Sequence, residues 1–302
     1  MLLMPVVKVL ITFLCVLLGV AYMTLLERKV LSYLQNRKGP NKVGLSGLFQ
    51  PFADAIKLFL KELIYPYRGN NYLFFLLPIM SLAMGLFVWG VLPSTYSLSS
   101  LNNGVLIFLC ISAVNVYVMM GAGWASNSAY AFLGAMRASA QTISYEVSLV
   151  FILLFPCFFT MTVSFFSMMN GLPLCVLMFY CLLCWLITCL AETNRAPFDF
   201  AEGESELVSG FNIEYGSGPF ALLFLGEYAT ILFFSVVTAI CFFGVQGILV
   251  ASLVSWVIAF IFLFIRGVYP RHRYDKLMGL CWTSILPTSM GFLCLVPLMQ
   301  WF

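Results

Sequence analysis

The chain has 302 residues, of which 62% are hydrophobic and only 9% are charged, and its mean hydropathy is +1.01. This composition excludes an ordinary soluble domain, and the net charge of +3 is too small to indicate nucleic-acid binding. Four long stretches, 69–136, 147–191, 228–265 and 277–302, contain no Asp, Glu, Lys or Arg. Since roughly 20 apolar residues in a helix cross a bilayer core of about 30 Å, these stretches predict transmembrane helices.

We predict an all-α, polytopic membrane protein that forms a single membrane domain with eight transmembrane helices. The predicted spans, in chain order, are about 5–26, 72–92, 105–124, 138–159, 173–191, 219–243, 248–266 and 282–301. The first span continues directly into Glu27 without a small-residue cleavage site, so we interpret it as a retained helix rather than a signal peptide.

The loops between these spans fall on two faces of unequal charge. The loops of one face are 27–71, 124–137, 192–218 and 266–281, and they carry every Lys and Arg except Lys8. The loops of the opposite face carry no charge. The positive-inside rule therefore predicts that the charged loops face the cytosol-like side, which is the matrix in a mitochondrion, and that both termini lie on the other side.

Residues 48–63 predict an amphipathic helix that lies in the membrane interface. Its apolar residues recur at helical spacing: Leu48, Phe52, Ile56, Phe59 and Leu63. Asp54 stands on the other side of this helix among lysines, which is unexpected for a helix that only binds lipid headgroups.

Two acids lie about two turns inside predicted spans, Glu146 in the fourth and Glu227 in the sixth. An intramembrane carboxylate is costly and is by default a hypothesis of function, because it can hold and release a proton. Thr142 shares a helical face with Glu146, and Tyr145 and Tyr228 each adjoin one of the acids. The alternative is a buried ion pair or hydrogen bond that only joins helices. The matching depth of the two acids favours function.

The loop 192–218 concentrates further acids, namely Glu192, Asp199, Glu202, Glu204, Glu206 and Glu214. They alternate with aromatic and aliphatic residues, which argues against a solvated acidic surface, the usual meaning of a charge run. Pro197 predicts that the fifth helix does not continue through this loop. Against the basic side chains of Arg28, Arg271 and Arg273, the loop would line a polar, hydrated cavity near the membrane surface.

The ten cysteines are scattered through the spans. Cys181 and Cys184 could form a redox or metal pair, but no second pair at ligand spacing exists, so packing of small apolar thiols is favoured. The only histidine, His272, is more typical of a surface residue than of a ligand. The sequence thus predicts no metal site, and it contains no phosphate-binding glycine loop or nucleophile elbow.

Five segments together resemble the family of mitochondrial NADH–ubiquinone oxidoreductase chain 1 subunits. They are LLERKVLSYLQNRKGPNKVG, QPFADAIKLFLKE, RASAQTISYEVSL, AETNRAPFDFAEGESELVSGFNIEYGSGPFALLFLGEY and RGVYPRHRYDKLM. The resemblance runs in order over essentially the full chain. It implies a multi-pass subunit of the mitochondrial inner membrane, at the heel of respiratory complex I, with eight membrane helices and an amphipathic helix between the first and second.

The same resemblance implies that the chain forms part of the ubiquinone chamber and the start of the proton path. Ubiquinone is then a substrate in a shared chamber, while NAD, FMN and the iron–sulfur clusters belong only to partner subunits, and the isolated chain has no catalytic activity. The implied partners are the peripheral quinone-site subunits, the antiporter-like membrane subunits and membrane lipid, with no nucleic acid.

The resemblance also assigns residues to roles, with none that acts directly in catalysis. For the quinone chamber and its entrance it implies Glu27, Arg28, Asp54, Arg195, Asp199, Glu202, Glu204, Glu206, Phe220, Phe224, Arg271 and Arg273. For the proton path it implies Glu192, Glu146, Glu227, Tyr145 and Tyr228, with Glu227 facing Glu146.

Two other classes of function remain open on the residues alone. An ion-coupled secondary transporter fits the buried acids and the eight helices, but no inverted repeat is visible in the sequence. A passive membrane anchor for peripheral subunits accounts for the basic face but not for Glu146 and Glu227.

Overall fold

The computed structural model describes residues 3–93, 102–171, 173–200, 210–245 and 247–300. Within these ranges the chain is helical and contains no strand, as the continuous apolar stretches predict. The predicted site residues Glu202, Glu204 and Glu206 lie outside the described residues.

The described residues form twelve α-helices in chain order. They are α1 (Leu3–Leu34), α2 (Gln50–Leu60), α3 (Asn71–Phe87), α4 (Gly104–Ala125), α5 (Ala129–Thr160), α6 (Phe165–Met169), α7 (Leu174–Leu177), α8 (Phe179–Glu192), α9 (Ser217–Phe243), α10 (Ile248–Val268), α11 (Tyr274–Gly279) and α12 (Leu286–Gln300). A π-helical segment, Leu280–Ile285, joins α11 to α12, and short 3-10 turns occur at Leu45–Gly47, Val88–Val91 and Gly210–Asn212.

Seven helical stretches in the described part of the chain are long and apolar enough to cross a membrane. They are Val7–Leu34, Asn71–Val91, Gly104–Ala125, Ala129–Thr160, Ser217–Phe243, Ile248–Val268 and Tyr274–Val296. The chain is therefore a polytopic membrane protein.

The predicted fifth span, 173–191, is not one long helix. The chain breaks at Met178, where φ is −138° and ψ is 59°, so that α7 and α8 are separate. The apolar helix α8 has 14 residues. Since a helix rises about 1.5 Å per residue, α8 extends only about 21 Å. A count of eight spans thus stays a prediction.

Two helices extend beyond their predicted spans towards the charged face. The helix α1 continues through Glu27 and Arg28, so these residues are helical rather than part of a loop. The helix α5 begins at Ala129 instead of near 138. Hydropathy locates the apolar part of a helix, whereas the helix itself continues where its polar side chains find partners, as Arg28 does in Asp54.

The helices α5 and α9 form the centre of the molecule. In each, 56% of the membrane-spanning stretch is buried, against 22–39% in the other candidate spans. The helix α9 packs against α1, α2, α3 and α10, whereas α5 packs against α4, α8 and α12. Because Glu146 is on α5 and Glu227 is on α9, both intramembrane acids belong to the helices that are most enclosed by protein.

The predicted interfacial helix corresponds to α2, which packs against α1 and α9. Pro51 lies in its first turn, where the missing N–H leaves no hydrogen bond unmade. Ile56 is exposed, and Phe52 is exposed in part while its ring packs edge to face on Tyr22 of α1. The helix therefore covers α1 and α9 with one side and presents apolar side chains outward with the other.

Candidate functional site

Charged side chains of α1, α9, α10 and the segment after α8 meet in the interior. The Glu27 cluster, as we name it, consists of Glu27, Arg195, Glu227, Tyr228 and Arg266. It contains two carboxylates and two guanidinium groups, so its formal charges cancel. Such balance is needed in a helical interior, because a buried charge without a partner is strongly unfavourable.

Three side chains contact the carboxylate of Glu27. Its carboxylate forms an ion pair with Arg266 and accepts a hydrogen bond from the hydroxyl of Tyr228. Nη1 of Arg195 lies 3.9 Å from Oε1 of Glu27. Only 4% of the surface of Glu27 is exposed, so these groups replace the water that the carboxylate would otherwise bind.

Arg195 lies between the two carboxylates of the cluster. Its Nη2 is 3.8 Å from Oε2 of Glu227, while its Nη1 faces Glu27. The guanidinium carbon lies 4.2 Å from the centroid of the Tyr228 ring, whose face attracts a cation. Arg195 therefore connects α1 with two consecutive residues of α9.

The segment that carries Arg195 is fixed by hydrogen bonds to its neighbours. The helix α8 ends at Glu192, as Pro197 predicts, and the N–H of Arg195 then donates to the carbonyl of Leu190 at 3.3 Å. The side-chain amide of Gln141, on α5, donates to the carbonyls of Ala191 and Phe198, at 2.8 and 2.9 Å. These bonds hold both ends of the segment against α5.

A cavity of about 400 Å³ adjoins the Glu27 cluster, between α1, α2 and α9. From α2 it is lined by one helical face, which comprises Pro51, Asp54, Ala55, Leu58 and Phe59. From α9 it is lined by Phe220 and Phe224, whose ring centroids are 4.3 Å apart. We call this space the α1–α2–α9 cavity.

The α1–α2–α9 cavity has polar groups at particular points of an otherwise apolar wall. Glu27, Tyr228 and Arg266 line it at the cluster. Arg28 and Asp54 also line it and form an ion pair, with Nη1 2.5 Å from Oδ2. Apolar walls with a few convergent polar groups are the usual form of a small-molecule site.

A second, narrower space of about 30 Å³ lies between α3, α4, α8 and α9, and is lined by Glu192, Ser112 and Asn115. The hydroxyl of Ser112 donates to Oε1 of Glu146 at 3.2 Å. Oε2 of Glu192 is buried and has no hydrogen-bond partner among the described residues, and Glu192 is close enough to Glu146 to interact electrostatically. The space is large and polar enough for a water molecule.

The basic residues of the segment 266–276 have different partners. Nη2 of Arg271 lies 3.3 Å from Oδ2 of the buried Asp199, so the structure brings these two predicted residues together. Arg273 instead pairs with Asp275 at 2.9 Å, and both side chains are exposed. The structure thus links Arg271, but not Arg273, to the described part of the acidic loop.

The two tyrosines assigned to the proton path face different neighbours. The hydroxyl of Tyr145 donates to the carbonyl of Leu277, in helix α11, at 3.0 Å. The hydroxyl of Tyr228 belongs to the Glu27 cluster and lines the α1–α2–α9 cavity. Their participation in proton transfer stays a prediction.

Sequence reasoning did not select Arg266, Ser112 or Asn115. Arg266 carries a weak signal, because it is a single cation at the end of one predicted span and Glu27 is an acid at the end of another. Ser112 and Asn115 are polar residues in a span without charge, where they are available as partners for an intramembrane acid. Which spans are neighbours cannot be read from spacing along the chain.

Among the described residues no group of three His, Cys, Asp or Glu side chains could hold a metal ion. Cys181 and Cys184 are buried free thiols within α8. His272 stacks on Phe198 with ring centroids 5.7 Å apart. The two thiols belong to the hydrophobic core between the helices.

Comparison with known proteins gives a consistent result over the whole chain. The profile of the family described as NADH dehydrogenase matches residues 7–297. The chain is 52% identical over 295 residues to NADH-ubiquinone oxidoreductase chain 1 of Anopheles gambiae, a match that covers 96% of this chain and 94% of the relative. It is 54% identical over 284 residues to the protein of that name from Aedes aegypti, with 92% and 90% covered. For the one from Lampetra fluviatilis the identity is 47% over 306 residues, with 95% and 92% covered. The chain therefore belongs to the NADH dehydrogenase family.

Proposed function

We propose that the chain is a core membrane subunit of the proton-pumping NADH:ubiquinone oxidoreductase, complex I, and that the α1–α2–α9 cavity is its part of the ubiquinone chamber. The observation that carries this proposal is the apolar cavity that ends at the buried, hydrogen-bonded carboxylate of Glu27. The relatives at about half identity are named for oxidoreduction between NADH and ubiquinone, which supports the same substrate.

The wall of the cavity matches the chemistry of a quinone. A quinone has a flat ring with two carbonyl oxygens and an apolar isoprenoid tail. Phe220, Phe224 and Leu58 offer apolar and aromatic surface to the ring and tail. Arg266 can donate a hydrogen bond to a carbonyl oxygen, and reduction of the quinone takes up protons that acids near the cavity can supply. NAD, FMN and the iron–sulfur clusters would be held by partner subunits.

The proton path in this proposal begins with Glu192, Glu146 and Glu227. Support comes from the buried oxygen of Glu192, from the hydrogen bond between Ser112 and Glu146, and from the space beside them that is large enough for water. Ionisable side chains inside a membrane protein usually mark ion pathways and proton relays. The path would continue into neighbouring antiporter-like membrane subunits.

The same proposal fixes the surroundings of the chain. The protein lies in the mitochondrial inner membrane, with the charged loops towards the matrix and both termini towards the intermembrane space. The peripheral quinone-site subunits then cover the charged face, above Arg271 and Asp199. The exposed apolar side chains of α1 and α10 contact lipid or accessory helices.

The assignment of ubiquinone to the α1–α2–α9 cavity is tested by a substitution that reduces the volume of the cavity. In the assembled complex, Phe224→Trp should raise the apparent KM for a short-chain ubiquinone by about tenfold, because overpacking such a site costs about 1–3 kcal/mol. Electron transfer from NADH to ferricyanide, which bypasses the quinone, should not change. The matched control is Phe179→Trp, at an exposed position of α8. An unchanged KM in Phe224→Trp would remove the quinone from this cavity.

The proton path is tested at Glu146. Glu146→Gln should abolish the proton pumping that accompanies quinone reduction in membrane vesicles, because an amide cannot bind and release a proton. NADH–ferricyanide activity should persist. Glu62→Gln, at an exposed position, serves as the control and should pump normally. Intact pumping by Glu146→Gln would exclude this acid from the path.

A further inference from the structure

The α1–α2–α9 cavity and the acid Glu227 are connected through one side chain. Glu27 lines the cavity, and Arg195 contacts Glu27 on one side and Glu227 on the other. Tyr228 adds a second contact, because its ring lies beneath the guanidinium group while its hydroxyl binds Glu27. A change of charge at one acid therefore acts on the other through Arg195.

We propose that Arg195 is a positioning residue that divides its guanidinium group between Glu27 and Glu227 and moves towards whichever acid is charged when the other loses its charge. This inference rests on the proposed function, since it takes the α1–α2–α9 cavity to be the quinone site. It assigns Arg195 the task of making quinone binding depend on the protonation of Glu227.

The two distances indicate that Arg195 is shared. Its nitrogens lie 3.9 Å from Glu27 and 3.8 Å from Glu227, which is nearly equal. A tight ion-paired hydrogen bond measures about 2.7–2.9 Å, so Arg195 binds neither acid as closely as a guanidinium can. The close partners of Glu27 are instead Arg266 and Tyr228. A movement of about 1 Å would therefore convert either contact into a tight pair.

The surroundings of Arg195 confine such a movement to the side chain. Hydrogen bonds to Leu190, and from Gln141 to Ala191 and Phe198, hold the backbone on both sides. The face of Tyr228 guides the guanidinium group, which can slide across the ring without leaving it. A planar guanidinium with five N–H donors can face two carboxylates at once, whereas the single ammonium of a lysine cannot do so in the same way.

The expected effect on quinone binding follows from this geometry. When Glu227 is neutral, its charge no longer opposes the attraction between Arg195 and Glu27. The carboxylate of Glu27 then binds two arginines. Its hydrogen bond with Tyr228 weakens as a result, and this rearranges the polar end of the cavity. By thermodynamic linkage, quinone binding must change the proton affinity of Glu227 by the same factor.

The decisive experiment measures the apparent KM for a short-chain ubiquinone in the assembled, membrane-bound complex. Glu227→Gln should raise this KM by about fivefold or more, the lower limit of ordinary coupling between sites. In the Arg195→Lys background, Glu227→Gln should have no further effect, because the shared contact is absent. In the control background Arg68→Gln, which removes an exposed arginine, the full effect of Glu227→Gln should remain. An equal effect of Glu227→Gln in all backgrounds, or none in the parent, would overturn the proposal.

A second double-mutant cycle needs no change at Arg195 and applies if Arg195→Lys fails to assemble. Glu27→Gln and Glu227→Gln should be non-additive, with the double variant departing by about threefold or more from the product of the single effects. Additive effects would overturn the role of Arg195.

The Phe224→Trp variant separates the two proposals. If it leaves KM unchanged, the quinone assignment fails, and if it raises KM while the cycles are additive, only the coupling through Arg195 fails.

Discussion

At the scale of single residues, the buried side chain of Gln141 fixes the segment after α8. Gln141 is fully buried on α5, and its amide group binds one carbonyl at the end of α8 and one beyond Pro197. The carbonyl of Ala191, in the last turn of α8, also accepts from the N–H of Asn194, so the amide of Gln141 adds a second bond that ties this helix end to α5. The position of Arg195 therefore depends on a residue that touches neither the cavity nor the acids of the cluster.

At this residue we predict the effect of Gln141→Leu. The substitution has a similar size but removes both hydrogen bonds that tie the segment to α5, each of which contributes about 0.5–1.5 kcal/mol. The carbonyls of Ala191 and Phe198 keep the N–H groups of Asn194 and Phe200 as donors. We expect faster hydrogen–deuterium exchange in 190–200 and a lower thermal midpoint of the assembled complex. The control Gln35→Leu, at an exposed position, should leave both unchanged. Equal exchange in the two variants would show that Gln141 does not hold this segment.

Among the elements, the segment that returns from the acidic loop to α9 has a firm anchor. The backbone of Gly210, with φ of +59°, lies directly against Gly134 of α5. Tyr215 stacks on Phe74 with centroids 4.1 Å apart, and its hydroxyl donates to a carbonyl of α4 at 3.2 Å. Burial raises the pKa of Tyr215 above its ordinary value, so this hydroxyl keeps its proton at physiological pH.

We predict that Gly134→Ala displaces this anchor. The added methyl group would lie 2.8 Å from Cα of Gly210 and 3.0 Å from its carbonyl carbon, which are backbone atoms that cannot rotate away. Hydrogen–deuterium exchange of 210–216 should increase, and the apparent KM for quinone should rise. Gly291→Ala is the matched control, because no described atom lies within 4 Å of its added methyl group. There the change should stabilise helix α12 slightly, by about 0.5–1 kcal/mol. Similar behaviour of both variants would contradict the anchor.

At the scale of the whole molecule, the distribution of charge predicts the orientation in the membrane. The basic residues gather on one face, where the Arg28–Asp54 and Arg271–Asp199 pairs also lie. The connection between α3 and α4, which the predicted topology assigns to the opposite face, has no charged residue in the sequence. One face of the protein is therefore strongly polar and the other is nearly uncharged. This is the asymmetry that the positive-inside rule relates to orientation in a bilayer.

This asymmetry predicts the outcome of cysteine labelling with a membrane-impermeant maleimide. Lys42→Cys should be labelled in inverted inner-membrane vesicles, whose matrix face is outward, and not in mitoplasts. Asn103→Cys, in the connection between α3 and α4, should show the opposite pattern. The parent chain gives the background, since its exposed cysteines Cys15, Cys110 and Cys294 lie within membrane helices. Labelling of both variants from the same side would refute the orientation.

Much of the fold could be predicted because hydropathy depends on local composition. The helices α3, α4, α9 and α10 begin and end within a few residues of the predicted spans. The break at Met178 could not be predicted, since the apolar run 174–191 continues through it without a glycine or proline. The early start of α5 was hidden because Arg137 interrupts the apolar run although the helix includes it.

Only some members of the candidate site could be predicted. The family resemblance implies Glu27, Arg195 and Tyr228 as site residues, and the structure brings them together. Their grouping, and the part of Arg266 in it, could not be predicted, because contacts between α1, α9 and α10 depend on tertiary packing. The residue types that lipid disfavours indicate where function lies, whereas their partners require the folded structure.

The helix α9 touches α3 almost backbone to backbone. A methyl group added to Gly85 would lie 3.0 Å from the carbonyl oxygen of Gly226 and 3.2 Å from its Cα. Phe220 and Phe224 precede this point on α9, and Thr230 and Phe233, which line the space beside Glu192, follow it. If α9 tilts as a rigid rod, the glycine contact is its fulcrum. Phe224 points away from the glycine contact, so a ligand that presses on it from the cavity pushes that arm towards α3 and moves Thr230 and Phe233 away from α3. An inhibitor wedged against Phe224 would then widen the space beside Glu192 without ever reaching it.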